Sequence, residues 1–474
     1  MAIMQTTDLR MRYLFISLSL LLSSIRSGTS AMTMHPARAS AKVRSAFLPS
    51  QNAARLHPIR ASVSPPRAQN SVKAASSERD YDDTDAITTD ALPPVPTAST
   101  AACLPYPVIS RPDATSRVLC IYTGGTLGMV KNGEGGSWSA PGPKNKRGGL
   151  SGLINSMPEF QDDSMPDIDM VEFDPLLDSS NVGPSEWCEL ATLVGEYYFD
   201  YDGFVIIHGT DTISYTASAL SFMLEGLGKA VVLTGSIIPM CEPFNDARRN
   251  LIASIMFASQ LELSEVAVFF NDRLLRGNRA VKVDSHSLAA IDSPNFPPLA
   301  TAGAGGISTP NRHLWRAPPI CRLRVHTNLE ARVVVLRLTP GFDDSAISCL
   351  TQAPDLRALV LSLYGTGNGP SHKAAFMETI AKAVERDLLV VAVTQCHRGS
   401  VQLSTYEVGQ RLMQIGVVAG GDMTTEACVT KIAYLCGRGL KGKRLRDAMA
   451  TNLRGELTLA EAEENVALNR DLRL

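Results

Sequence analysis

Two stretches decide how this chain is read. The first is Val118-Leu119-Cys120-Ile121-Tyr122-Thr123-Gly124-Gly125-Thr126-Leu127-Gly128. The second is Phe204-Val205-Ile206-Ile207-His208-Gly209-Thr210-Asp211-Thr212. In each, a short apolar run that reads as a buried strand ends in glycine and threonine. Glycine permits tight turns and close backbone approach. Thr126 and Thr210 are therefore presented where strands run into loops. In parallel α/β sheets, ligands bind in the crevice beyond the carboxyl ends of the strands. Asp211 adds a carboxylate to the same place. A threonine hydroxyl is a poor nucleophile until a base or a preorganised network activates it. Two of them in one crevice point to amide or ester hydrolysis without metal. In the plainer reading, Thr126 satisfies its own turn, and Thr210 or Asp211 caps the helix that starts near Ser214.

Working outward, apolar runs alternate with helix-period segments. Arg117 to Tyr122 and Phe204 to Ile207 read as strands, as do Ala230 to Thr234 and Val266 to Phe270. Helices are expected between them: one opened at Pro184-Ser185 with Ser185 as N-cap, then Ser214 to Gly226 and Asp246 to Gln260. This predicts an α/β fold, with a larger N-terminal, mostly parallel sheet flanked by helices. Gly133 to Gly149 is glycine-rich, polar and aperiodic, and reads as a mobile loop. Residues 311–330, rich in Pro, Arg and His, read as the crossing to a second domain. A smaller C-terminal α/β domain follows over 331–474. Its strands are Arg332 to Leu338, Ala358 to Tyr364 and Leu388 to Thr394. Its helices fall near Asp343 to Thr351, Lys373 to Arg386, Tyr406 to Gln414 and Thr424 to Cys436.

The two threonine stretches, in this order, resemble the L-asparaginase family, in its type I (bacterial cytoplasmic-like) branch. Further blocks carry the same resemblance. They are Pro175 to Ser180, Tyr201 to Phe204, Tyr215 to Glu225, Arg276-Gly277-Asn278-Arg279, Ser293-Pro294-Asn295, Tyr364 to Asn368 and Asn452 to Thr458. Coverage runs from about Arg117 to about Thr458, so the resemblance implies the two-domain asparaginase-like fold. It also implies hydrolysis of L-asparagine to L-aspartate and ammonia, with no cofactor and no metal. Thr126 would attack the side-chain carbonyl, and Thr210 would be the second catalytic threonine. Asp211 would hold the substrate's α-ammonium or orient a lysine. Lys282 would be that lysine and the base, its pKa lowered by partial burial and nearby cations. Asp178, Ser179 and Ser180 would grip the charged end of a small amino-acid substrate, though Asp-Ser-Ser is also ordinary turn chemistry. Asn368 would reach into a neighbouring subunit's site, because family sites form between subunits. A homodimer or homotetramer is implied.

One position departs from the family pattern. Relatives carry an assisting tyrosine on the loop after the first threonine. This loop has none, and Ser137-Trp138-Ser139 stands there. Two other functions fit parts of the pattern. One is a glutamyl-tRNA amidotransferase subunit, which would need a folded front appendage, a partner protein and RNA. The other is a non-enzymatic amino-acid sensor that has kept the pocket.

Composition narrows the rest. The 474 residues suggest two domains plus appendages, and an apolar share of 45% can fill two cores. A net charge of −2 argues against a nucleic-acid partner. Nine scattered cysteines without a Cys-x-x-Cys pair fit reduced thiols, with Cys428 and Cys436 in a helix core. The body has no apolar run of membrane-spanning length. From Leu9 to Ser77 there are ten Lys/Arg and no acidic residue. Residues 10–31 read as signal-like and 32–77 as transit-like, a two-part leader to an organelle such as a plastid. Secretion and mitochondrial import are the alternatives. Residues 78–116 read as a disordered linker.

Overall fold

The computed structural model describes residues 104–111, 114–131, 138–139 (backbone only), 149–309, 314–315, 322–370 and 372–458. The leader expected over 1–77 lies outside the described residues, as does most of the expected linker and of the expected loop over 133–149.

The first sheet has nine strands. In chain order they are β1 (Tyr106–Ile109), β2 (Arg117–Gly124), β3 (Asp167–Leu177), β4 (Gly203–Ile207), β5 (Val231–Thr234), β6 (Val266–Phe270), β7 (Arg273–Arg276), β8 (Ala300–Gly303) and β9 (Gly306–Ser308). Their spatial order is β1-β3-β2-β4-β5-β6-β7-β8-β9. The central five, β3 to β6 in space, pair in parallel. The outer strands pair antiparallel. The period of two assigns each central side chain to one face. Val118, Cys120, Tyr122, Val205 and Ile207 pack with Leu251 and Ile255 of helix α4 (Ala247–Gln260). Leu119, Ile121, Phe204 and Ile206 pack with Trp187 and Leu190 of α2 (Pro184–Glu196) and with Ala217 and Leu220 of α3 (Ile213–Met223). Helix α1 is the short Leu150–Asn155. Burial on both faces explains why these strands read as unbroken apolar runs.

The second sheet is parallel, in the order β10 (Val333–Arg337), β11 (Ala358–Leu363), β12 (Leu389–Thr394) and β13 (Val418–Ala419). Helices α5 (Asp344–Thr351), α6 (Ala374–Glu385), α7 (Glu407–Ile415), α8 (Thr425–Gly437) and α9 (Gly442–Ala450) accompany it. Cys428 is fully buried in α8 and Cys436 is partly buried, as expected for a helix core. None of the described cysteines is in a disulfide.

Two expectations are corrected, and one strand is added. The sheet begins upstream of Arg117: Tyr106–Ile109 pairs antiparallel with β3 inside the segment read as linker. Val108 and Ile109 are buried there, and the Arg111 guanidinium donates to the carbonyls of Phe160 and Met165. Strand β3 itself escaped the sequence reading because acids interrupt its apolar pattern. The two central acids are buried and partnered: Asp169 accepts from Arg117 at 2.8 Å and Tyr201 at 2.7 Å, and Glu172 accepts from Tyr106 at 2.7 Å. Finally, Ser185 does not cap α2. Pro184 takes the first helical position, where its missing N–H costs nothing, so the cap falls on Gly183. Glu186 accepts from the Gly183 N–H at 2.7 Å, and Ser185 donates to the same carboxylate.

At the end of β4, His208 is fully buried. Its Nδ1 lies 2.7 Å from the Gly209 carbonyl, which can only accept, so Nδ1 carries the hydrogen. Nε2 then accepts from the Thr216 hydroxyl at 3.0 Å, and Thr216 accepts from the Trp187 indole at 3.1 Å. Burial lowers the imidazole's pKa to about 4, against the opposing pull of the Gly209 carbonyl. Between its ordinary value near 6.5 and about 4, the unfolded chain takes up a proton that the folded chain refuses. The stability from neutral His208 is thus present above the ordinary value and lost as pH falls, by on the order of 3 kcal/mol across that window. Thermal melts of wild type should fall over this range, and His208→Gln should show a shallower slope. Equal slopes would show that His208 does not titrate as described.

Candidate active site

The spatial order places β3 on one side of β2 and β5 on the far side of β4. The connection leaving β2 and the connection leaving β4 therefore run in opposite directions. Such a switch point opens a crevice at the strand carboxyl ends. The Thr126 and Thr210 turns both lie there.

Backbone contact closes the distance between the turns. Gly124 and Gly125 have φ of 130° and 87°, which glycine tolerates and side chains resist. A Cβ on Gly125 would sit 2.5 Å from both N and Cα of Gly209. A Cβ on Gly209 would sit 2.5 Å from Ser179 Oγ, and one on Gly235 would sit 2.4 Å from the His208 carbonyl. The ends of β2, β3, β4 and β5 thus meet through atoms that no larger residue could leave in contact. Thr123 ties the same layer by donating to the Ile207 carbonyl at 3.0 Å.

Thr126 opens a single 3₁₀ turn, Thr126–Gly128, and is half-buried. Its hydroxyl has no hydrogen-bond partner among the described residues, while its carbonyl accepts from Met129 N–H. Thr210 is buried, and its Oγ1 accepts from the Lys282 ammonium at 2.9 Å. Lys282 also pairs with Asp211 Oδ1 at 2.5 Å. The lysine comes from a two-residue strand, Val281–Lys282, paired with Ile291–Asp292. Its side chain is 20% exposed and that of Asp211 is 63% exposed, so the pair lies at the crevice surface with the amine turned inward. The structure therefore brings Thr210, Asp211 and Lys282 together. The charged partner of Lys282 is the Asp211 carboxylate, placed to orient the lysine. The capping alternative also fails. Thr212 holds the N-cap of α3, and its hydroxyl donates to the Ser179 carbonyl at 2.6 Å.

The Asp178-Ser179-Ser180 segment forms another 3₁₀ turn beside the crevice. Asp178 is exposed, and its carboxylate caps the Ser180 N–H at 3.0 Å, which is the turn chemistry of the plainer reading. Ser179 is buried against Gly209, while Ser180 is exposed. Asn368 follows β11 in the second domain. Its backbone bonds Tyr364 in both directions, and its side chain accepts from Gly369 N–H at 2.9 Å. These contacts lie within its own turn and do not join it to the threonines. The backbone of Trp138 pairs with Lys131 in a short ribbon, and its side chain lies outside the described residues.

Sequence reading missed Tyr122. The Tyr122 hydroxyl is buried against the Thr126 turn, so close that a Cβ on Gly128 would fall 2.1 Å from it. Burial and then the nearby Glu172 push the phenol's pKa up, so it stays a neutral O–H. It has no partner among the described side chains and backbone. The available signal was its place as the last aromatic before Thr123-Gly124-Gly125. A neutral phenol thus stands against the Thr126–Gly128 turn, supplied by the strand that leads into it.

Chemically, this arrangement offers an accessible hydroxyl on a glycine turn. It also offers a second hydroxyl held by an amine, and a carboxylate facing solvent. The description "Asparaginase, N-terminal" matches residues 117–314, and "Glutaminase/Asparaginase C-terminal domain" matches residues 332–449. L-asparaginase 1 of Escherichia coli (strain K12) is 42% identical over 343 residues, covering 71% of this chain and 96% of its own length. The 60 kDa lysophospholipase of Mus musculus is 40% identical over 366 residues, covering 72% of this chain and 63% of the mouse protein. The crystal structure of L-asparaginase I from Vibrio cholerae O1 biovar eltor str. N16961 superposes with a TM-score of 0.66 at 37% identity. That match covers 73% of this chain and all of the other. With both family regions matched in order and the threonine crevice built as described, the chain belongs to the asparaginase family.

Proposed function

We propose that this chain is an L-asparaginase that releases ammonia from L-asparagine through a threonine ester. The carrying observation is the Lys282 amine on Thr210 at 2.9 Å, beside Thr126 at the switch point. Thr126 is the nucleophile of choice. Its hydroxyl is half-exposed and uncommitted, whereas Thr210 is buried and already accepts from Lys282. With Lys282 in its amine form, the Thr210–Lys282 pair takes the proton from the Thr126 hydroxyl as the oxygen attacks the side-chain carbonyl. Backbone N–H groups of the glycine turn stabilise the oxyanion. The C–N bond breaks, the nitrogen leaves as ammonia with that proton, and an aspartyl ester remains on Thr126. Water loses a proton to the same pair, cleaves the ester and regenerates the hydroxyl.

Asp211 has two parts in this scheme. One oxygen orients Lys282, and the exposed side of the carboxylate suits the substrate's α-ammonium through a charge-assisted bond. The active unit is a homodimer or homotetramer, as the family's sites between subunits imply. A monomeric mass in solution at full activity would remove that part.

Purified chain alone, given free L-asparagine, should release ammonia. Thr126→Val, Thr210→Val and Lys282→Met should each stay folded and lose at least about 10²-fold in kcat. Lys282→Met should also lose the pH dependence of the base. Near-normal turnover in any of the three would take that residue out of the mechanism. No turnover by wild type would favour the sensor or amidotransferase reading. For location, the two-part leader read over residues 1–77 should, fused to a fluorescent protein, deliver it to an organelle. A diffuse cytosolic signal would reject the leader.

A further inference from the structure

The near-terminal segment Asn452 to Thr458 has no part in the reaction as described, yet it is among the most constrained pieces of the chain. Glu456 folds it into a turn by accepting from the N–H groups of Leu453 at 3.0 Å and Arg454 at 2.7 Å. Asn452 accepts from Gly455 N–H at 2.7 Å. The Glu456 carboxylate pairs with Lys431 of α8 at 2.7 Å, with both side chains fully buried. Lys431 also donates to the carbonyls of Met449 and Thr451. Breaking such a pair strands a buried charge, so the turn is held rigidly.

What the turn grips is the approach to Lys282. The 3₁₀ turn Gly277–Arg279 ends one residue short of the strand Val281–Lys282, with only the fully buried Ala280 between them. Asn278 donates to the Arg454 carbonyl at 2.9 Å. Arg279, itself buried, spreads three ways: to the Gly455 carbonyl at 2.6 Å, to Asp422 at 2.8 Å and to Thr458 Oγ1 at 3.1 Å. Asp422 closes the ring by accepting from Thr458 N–H at 2.8 Å. Gly455 has a φ of 81°, and a Cβ there would meet Arg276 Nη1 at 2.5 Å. The strap and the turn therefore share one fixed separation.

We infer that Arg279 is a positioning residue, through which the Asn452–Thr458 strap sets the reach of Lys282 to Thr210. The inference rests on Lys282 being the base. Arg279 serves a carbonyl, a carboxylate and a hydroxyl at once through a rigid planar fork of donors, a spread that the single ammonium of a lysine does not copy. A lysine at this position would keep a charge near Asp422 and release the strap. Displacing a base by about 1 Å is enough to slow chemistry by as much as 10²-fold while substrate binding survives.

The test is a double-mutant cycle of Arg279→Lys and Lys282→Met, with Thr458→Val as a milder second probe and thermal melts to verify folding. In the wild-type background, Arg279→Lys should lower kcat about tenfold or more, with little change in KM. In the Lys282→Met background it should change kcat by less than about twofold, because residues acting through one another are not additive. Thr458→Val should show the same pattern at smaller size. An equal loss in both backgrounds, or no loss in the wild-type background, would make the strap a structural clamp only and overturn the inference. An undiminished kcat in Lys282→Met alone would instead reject the base, separating that failure from this one.

Discussion

The contact between Gly125 and Gly209 is the constraint on which the crevice depends. Two parallel strands, β2 and β4, end side by side and send their chains in opposite directions. Most residues at those ends would hold the loops apart. Without Cβ atoms, the loops touch backbone to backbone. That contact places Thr126 on one lip and Thr210 on the other, and lets Ser179 close in behind Gly209. The glycines thus matter for atoms they lack more than for flexibility. His208 supports the arrangement from beneath, its ring joining the Gly209 carbonyl to Thr216 of α3.

Around this contact the structure builds outward in layers of decreasing exposure. Asp211 faces solvent, Lys282 is mostly covered, and Thr210 is buried. Behind Lys282, charged groups go into the interior in pairs: Arg276 with Glu265, Arg279 with the mostly covered Asp422, and Lys431 with Glu456. Buried ions need partners and geometry to repay desolvation. Arg279 also donates to the Gly455 carbonyl of the strap, so a group that satisfies Asp422 also ties Asn452–Thr458 to the turn before the lysine strand.

The parts that sequence made legible share a physical cause. A strand buried on both faces must be apolar throughout, so β2, β4, β5 and β6 stand out as runs. A turn that must pass another backbone closely shows its glycines. Both threonines, Asp211 and Lys282 were found this way, or by resemblance at matching positions. The parts that were hidden depend on distant partners. The acids of β3 look like loop residues until Arg117, Tyr201 and Tyr106 cover them. β1 is four residues long and too short to carry a period. Ser185 looked like a cap because capping propensity is local, yet Pro184 and Glu186 decided the start of α2. The burial of Tyr122 against the Thr126 turn arises from folding, which no local pattern records.

The central claim is that the uncommitted threonine on the glycine turn is acylated, while the amine-held threonine serves it. Acid quenching of the enzyme during turnover of L-asparagine, followed by peptide mapping by mass spectrometry, tests this directly. The account predicts an aspartyl ester on the peptide that contains Thr126, absent in Thr126→Val. An ester on the Thr210 peptide, or on any other residue, would contradict it.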